Sequence, residues 1–197
     1  MPNPYRNSTI LSEHDAQNSA KKHEAGICAS FAMDFCKKQL ASAAGNGKKI
    51  INAVTYGNAS RIKKITKRQI SYEKSGDLGT LAASYGLTCS SQPVDRWSKE
   101  KNPFDDDPRT PEDDLERIFT ELQAVETRGC FYFSIKDKSL AGHGIALDTK
   151  HMQFADANIG VLSFDLPHMQ TVITDCFSYL KAHNPVAFWV YSIHLKK

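Results

Sequence analysis

The chain has 197 residues and a formal net charge of +3, a length that one domain of roughly 100–200 residues accommodates. Its 41% hydrophobic content suffices for one sizeable core, and no apolar run reaches the ~18–20 residues that a membrane helix needs. Five cysteines (28, 36, 89, 130 and 176) are an odd number at wide spacings without a CxxC pair, which argues against a disulfide framework or a zinc knuckle and fits a reducing compartment.

The opening MPNPYRNSTILSEHD lacks the apolar core of a cleavable signal, so residues 1–20 read as a polar, mobile leader to a single domain over 21–197. Residues 24–43 carry helix formers without proline, and Gly45 and Gly47 close the segment. Cys28, Phe31, Ala32 and Phe35 fall at i, i+3, i+4 and i+7, one helical face, which predicts a substantially buried helix. Residues 58–71 set Ile62, Ile65 and Ile70 among lysines and arginines and predict a basic amphipathic helix. A short helix over 76–86 ends at Gly86. From Ser90 to Pro111 four prolines and a DDD run predict a long surface loop. Pro111 and an acidic first turn then start a helix to about Glu126.

After residue 128 the pattern changes. GCFYFSI (129–135), GHGIALD (142–148), MQFAD (152–156) and VLSFD (161–165) read as short strands between polar turns, Pro167 opens a helix over 167–182, and VAFWVYSIHL (186–195) is the strongest strand signal. A helical part over about 21–127 followed by a sheet part over about 128–197 predicts an α+β fold with an antiparallel sheet. Charge is segregated as well. Residues 1–70 hold twelve Lys/Arg against four Asp/Glu, and residues 105–126 hold nine Asp/Glu against two Arg. Such faces steer charged partners or simply stay solvated.

Three residues stand out for chemistry. Cys28 lies beside the start of the first long helix, where the helix dipole favours a thiolate, the nucleophilic form; a small thiol on an apolar face also fits plain core. His143 stands between two glycines at the head of a strand, exposed enough to act as a base or simply to sit in a hairpin. Asp156 ends the next strand, in reach of His143 as the carboxylate that fixes an imidazole tautomer, although Asp-x-Asn-x-Gly is also a turn former in its own right. Cys36, Cys130 and Cys176 read as packed thiols, His151 and His168 as surface residues near turns, Trp189 as core, and Trp97 as a cleft-lining candidate.

The order of a cysteine at a helix start, a histidine leading a strand and an aspartate after the following strand resembles that of papain-like enzymes. More narrowly, GICASFAMDF, GHGIALD and FADANIGVLSF are similar to the three motif blocks of the YopT/AvrPphB-type cysteine proteases, bacterial effectors delivered into host cells. The resemblance covers residues 24–36 and roughly 141–165, and its Asp block is the most specific piece. It implies Cys28 as nucleophile, His143 as base and Asp156 as orienter. The fold it implies is papain-like, a helical part with a central catalytic helix packed on an antiparallel sheet and the three residues in the cleft between them. Where papain-like enzymes keep a Gln or Asn shortly before the cysteine as oxyanion donor, this chain has Lys22, His23 and Glu24, with Gln17 and Asn18 further back.

The function so implied is peptide cleavage through an acyl-enzyme, on a protein substrate in a host or rival cell. The expected route is export without a cleavable signal, through a specialised secretion system, into the target-cell cytoplasm; an inhibitory or chaperone partner is compatible with it. No cofactor and no metal are expected. Glutamine deamidation or transglutamination would use the same three residues through the same thioester. A non-catalytic binding module, with the basic segment 61–68 on nucleic acid or acidic lipid, is the alternative of another class. Against nucleic acid, that segment has no aromatic residue for base stacking and the chain no recognisable motif.

Overall fold

The computed structural model of the chain describes residues 9–10, 27–41, 59–98, 117, 121, 129–137, 142–157, 160–163 and 185–197. In chain order these form β1 (Thr9–Ile10), α1 (Cys28–Ala41), α2 (Ala59–Ser75), α3 (Leu78–Ser84), β2 (Leu87–Cys89), β3 (Asp95–Ser98), β4 (Cys130–Asp137), β5 (Gly142–Asp148), β6 (Gln153–Asp156), β7 (Gly160–Ser163) and β8 (Pro185–Leu195). Arg117 and Glu121 are helical and form an i,i+4 ion pair at 3.0 Å, inside the acidic helix expected over 110–126. The rest of that helix, the helix expected over 167–182 with His168 and Cys176, Asn158 and most of the leader lie outside the described residues.

The strands form one sheet in the order β1-β7-β6-β5-β4-β8-β2, with β3 also on β8, and the pairs are antiparallel. The α+β expectation therefore holds, but its tidy division into helices first and strands later does not. LTC (87–89) pairs with the far end of β8, and DRWS (95–98), read as loop, pairs with Ala187–Val190 of the same strand. Thr9 and Ile10, in the stretch read as leader, pair with Val161 and Gly160. Such strands are too short to show a period of two in the sequence; backbone hydrogen bonds recruit β2 and β3 to the long β8, and β1 to β7.

Helix α1 lies against the sheet, chiefly β5, with α2 on its flank. It is buried nearly all round: besides the predicted Cys28, Phe31, Ala32 and Phe35, the core takes Ala29, Met33 and Cys36. A helix with so wide an apolar surface belongs inside a domain, and its charged residues Asp34, Lys37 and Lys38 are only partly buried. Cys130 and Tyr132 of β4 meet this core from the sheet. Phe131, Phe133 and Ile135, which alternate with them, are buried on the opposite face. Trp189 is half-buried. On α2 the described side chains buried inward are Ile65 and Gln69, whereas Ile70 is half-buried and the Ile62 side chain lies outside the described residues. Arg61 of α2 pairs with Asp34 of α1 (Nε–Oδ2 3.0 Å), so part of the basic segment is used in packing the two helices together. Gly76 (φ +65°) and Gly86 (φ +69°) end α2 and α3 in the left-handed conformation that favours glycine at helix C-termini. Among the described residues, no helix is long and apolar enough to cross a membrane.

Candidate active site

Cys28, His143 and Asp156 come from three different elements and converge. Cys28 is the first residue of α1, following Ile27, whose carbonyl accepts the first helical hydrogen bond from Phe31 N–H at 2.9 Å. The residue is 8% exposed, and its thiol makes a long, weak contact of 4.0 Å with the Gly142 carbonyl. Gly142 opens β5, so the sulfur lies over the residue before His143. His143 Nε2 and Asp156 Oδ2 are 2.7 Å apart, the carboxylate fully buried and the imidazole 20% exposed. The antiparallel pairing of β5 with β6 sets Ile145 opposite Asp156, and this register carries the carboxylate to the histidine.

Gly144 explains how β5 approaches α1 so closely. A Cβ there would lie 2.6 Å from the Tyr132 hydroxyl and 2.9 Å from the Ala29 Cα, whereas a Cβ at Gly142 would meet nothing within 4 Å. The two glycines of G-H-G thus do different things. Gly144 lets the strand pass under the first turn of the helix, and Gly142 leaves open space beside the thiol.

Burial pulls the His143 imidazole toward its neutral form. Hydrogen bonds to Asp156 and Cys28, with the charges of both, outweigh it and raise the pKa from 6.5 to about 10. The protonated ring is therefore the favoured state between a carboxylate and a thiol. Near Cys28, Tyr132 and Tyr72 are hydrogen-bonded to each other, and burial raises both phenols, so they stay neutral.

The helix end that holds Cys28 is secured by residues the sequence reading did not single out. Ser30 N–H, one of the donors a helix N-terminus leaves unsatisfied, donates to Gln69 Oε1 of α2 at 2.9 Å. The Ser30 hydroxyl donates to the Ile65 carbonyl at 2.9 Å and shares a 2.6 Å hydrogen bond with Tyr85. Gln69 then holds Glu73 at 3.0 Å. The available signal was Gln69 itself, a polar residue four positions after Ile65 on the inward stripe of an amphipathic helix.

A look-alike lies at the other end of β5. His151, read from the sequence as a surface residue, is mostly buried. Its Nδ1 is 2.6 Å from Asp148 Oδ2, because Asp148 is buried and gathers the turn around itself, accepting also from the Lys150 and His151 N–H groups. Cys130 pairs with Asp148 across β4 and β5. Its hydrogen bond with Cys36 and its burial push this thiol well above its ordinary range, so it stays a protonated, packed thiol. Trp97 lies in β3 rather than in a loop.

A cysteine at a helix start with a histidine and an aspartate on neighbouring strands, in an α+β fold, is the arrangement against which known proteins can be compared. No protein-family model matches the chain, and no curated protein matches it in sequence. Among solved structures, the crystal structure of the Pseudomonas avirulence protein AvrPphB is similar in fold. Its TM-score is 0.60 at 12% sequence identity, over 87% of this chain and 93% of that one.

Proposed function

We propose that this chain is a papain-like thiol hydrolase, a cysteine protease of bacterial effector type, acting through Cys28, His143 and Asp156. The observation that carries the reading is one imidazole held at 2.7 Å by a fully buried carboxylate and hydrogen-bonded to the thiol at a helix start. With Nε2 on Asp156, Nδ1 is the nitrogen left for Cys28. Cys28 attacks the peptide carbonyl as thiolate, and the oxyanion is met by the Cys28 N–H, one of the donors free at a helix N-terminus. His143 protonates the leaving amine, the thioester forms, and the same ring takes a proton from the water that hydrolyses it. Asp156 holds the ring's orientation and its positive charge throughout. The likeness in fold to an avirulence protein supports delivery into another cell and a protein substrate there.

The test is alkylation of Cys28 by iodoacetamide near neutral pH, followed by mass spectrometry. Cys28 should label far faster than the buried Cys36 and Cys130 of the same chain. His143→Ala should slow it at least ~10²-fold, the low end of what a positioned base contributes. A Cys28 rate that matches the packed thiols, or ignores His143, would sink the proposal. With candidate substrates, chain scission identifies a protease, and ammonia release without scission identifies a glutamine deamidase.

A further inference from the structure

Lys64, Lys67, Arg68 and Ser71 of α2 are spaced i, i+3, i+4 and i+7 and so share one helical face. All four line a cavity of about 430 Å³ between α2 and α3, with Thr80 and Ser84 on the α3 side. That volume is within the ~300–1,000 Å³ usual for small-molecule sites. Among the described residues, no carboxylate lines it. The acids nearest in sequence are committed elsewhere. Asp77 caps α3, accepting from Gly79 N–H at 2.8 Å and from the Thr80 hydroxyl at 2.5 Å, and Glu73 accepts from Gln69.

The three cations are also unequal in freedom. Arg68 lies 4.0 Å over the ring of Tyr85, which aims its guanidinium from a fixed platform. Lys64 and Lys67 are exposed and have no carboxylate partner among the described residues. The Ser84 hydroxyl is taken by the Leu81 carbonyl at 2.7 Å, which leaves Ser71 as the hydroxyl donor beside them. Like charges one turn apart repel each other and weaken the helix. In a concave site, one multiply charged anion relieves that repulsion for all of them at once.

We propose that the cleft between α2 and α3 binds a small phosphate-bearing anion through Lys64, Lys67, Arg68 and Ser71. A phosphate group puts close to two charges on three acceptor oxygens, the match for a guanidinium fork, two ammonium groups and a hydroxyl within two helical turns. A single carboxylate would engage one cation and leave the others opposed. The phosphate belongs either to a soluble ester or to an inositol-lipid headgroup. Binding is independent of the reaction assigned to Cys28 and is read without any substrate.

The experiment is isothermal titration of the full chain with inorganic tripolyphosphate at low ionic strength. The Kd should rise at least ~10-fold in Lys64→Ser/Lys67→Ser and with added salt. It should stay within about twofold in Lys150→Ser/Lys197→Ser, which removes the same charge from exposed positions outside α2. Co-sedimentation with phosphatidylcholine vesicles, with and without phosphatidylinositol 4-phosphate, then assigns the source: binding only to the phosphoinositide vesicles points to the lipid headgroup, and no vesicle binding points to a soluble ester. The proposal is overturned if tripolyphosphate does not bind, if the two double variants behave alike, or if citrate, a tricarboxylate, binds as tightly.

Discussion

The 2.7 Å contact between His143 and Asp156 makes pH a direct probe. A histidine whose pKa is raised from 6.5 to about 10 on folding binds its proton more tightly in the native state. Its contribution to stability is complete below 6.5 and is lost as pH rises through about 10. In urea denaturation the advantage of wild type over His143→Ala should therefore shrink across that window; an advantage that grew with pH would contradict the ion pair. Asp156→Asn should keep the fold but slow Cys28 alkylation by ~10²–10⁴-fold, since the ring loses both its orientation and its charge partner. Gly144→Ala should lower stability by about 1–3 kcal/mol in thermal or urea unfolding, because the added methyl meets the Tyr132 hydroxyl and the Ala29 backbone. Gly142→Ala, with open space around it, should leave stability unchanged.

At the scale of elements, the unit that matters is α1 seated on β5 and braced by α2. Gln69→Ala leaves the Ser30 N–H buried without an acceptor, which should cost about 1–3 kcal/mol in urea unfolding. If the network serves Cys28, the alkylation rate should fall by more than the stability loss alone explains. This brace marks a limit of sequence reading. Cys28, His143 and Asp156 were legible because each stands at the edge of a short periodic segment, and edges are where chain direction brings side chains together. Helix α1 was legible because its apolar face repeats, and the G-H-G strand because it alternates. Gln69 and Tyr132 act through partners 39 residues away in the first case and across a strand pair in the second. Neither distance leaves a local trace. His151 was misread for a similar reason. The turn that carries it looks polar, yet Asp148 draws it inward.

At the scale of the molecule, β8 organises the sheet. It pairs with β2, β3 and β4, three segments far apart in sequence. The strands β2 and β3 escaped the sequence reading because LTC and DRWS have no register of their own until β8 supplies one. Sheets of such long-range pairing fold slowly, since loop closure precedes the contacts that reward it. Deleting residues 185–197 should abolish cooperative unfolding, followed by circular dichroism against temperature. Survival of a sharp transition would show that α1, β4 and β5 form an independent unit.

The place of β8 in the chain has a consequence for biosynthesis. A ribosome releases Cys28 early, His143 and Asp156 later, and β8 after all of them. Until β8 emerges, β4 remains an open edge, and the hairpin that presents His143 has nothing to brace it from behind. Pairing with residues 185–195 closes that edge behind the strand that carries His143.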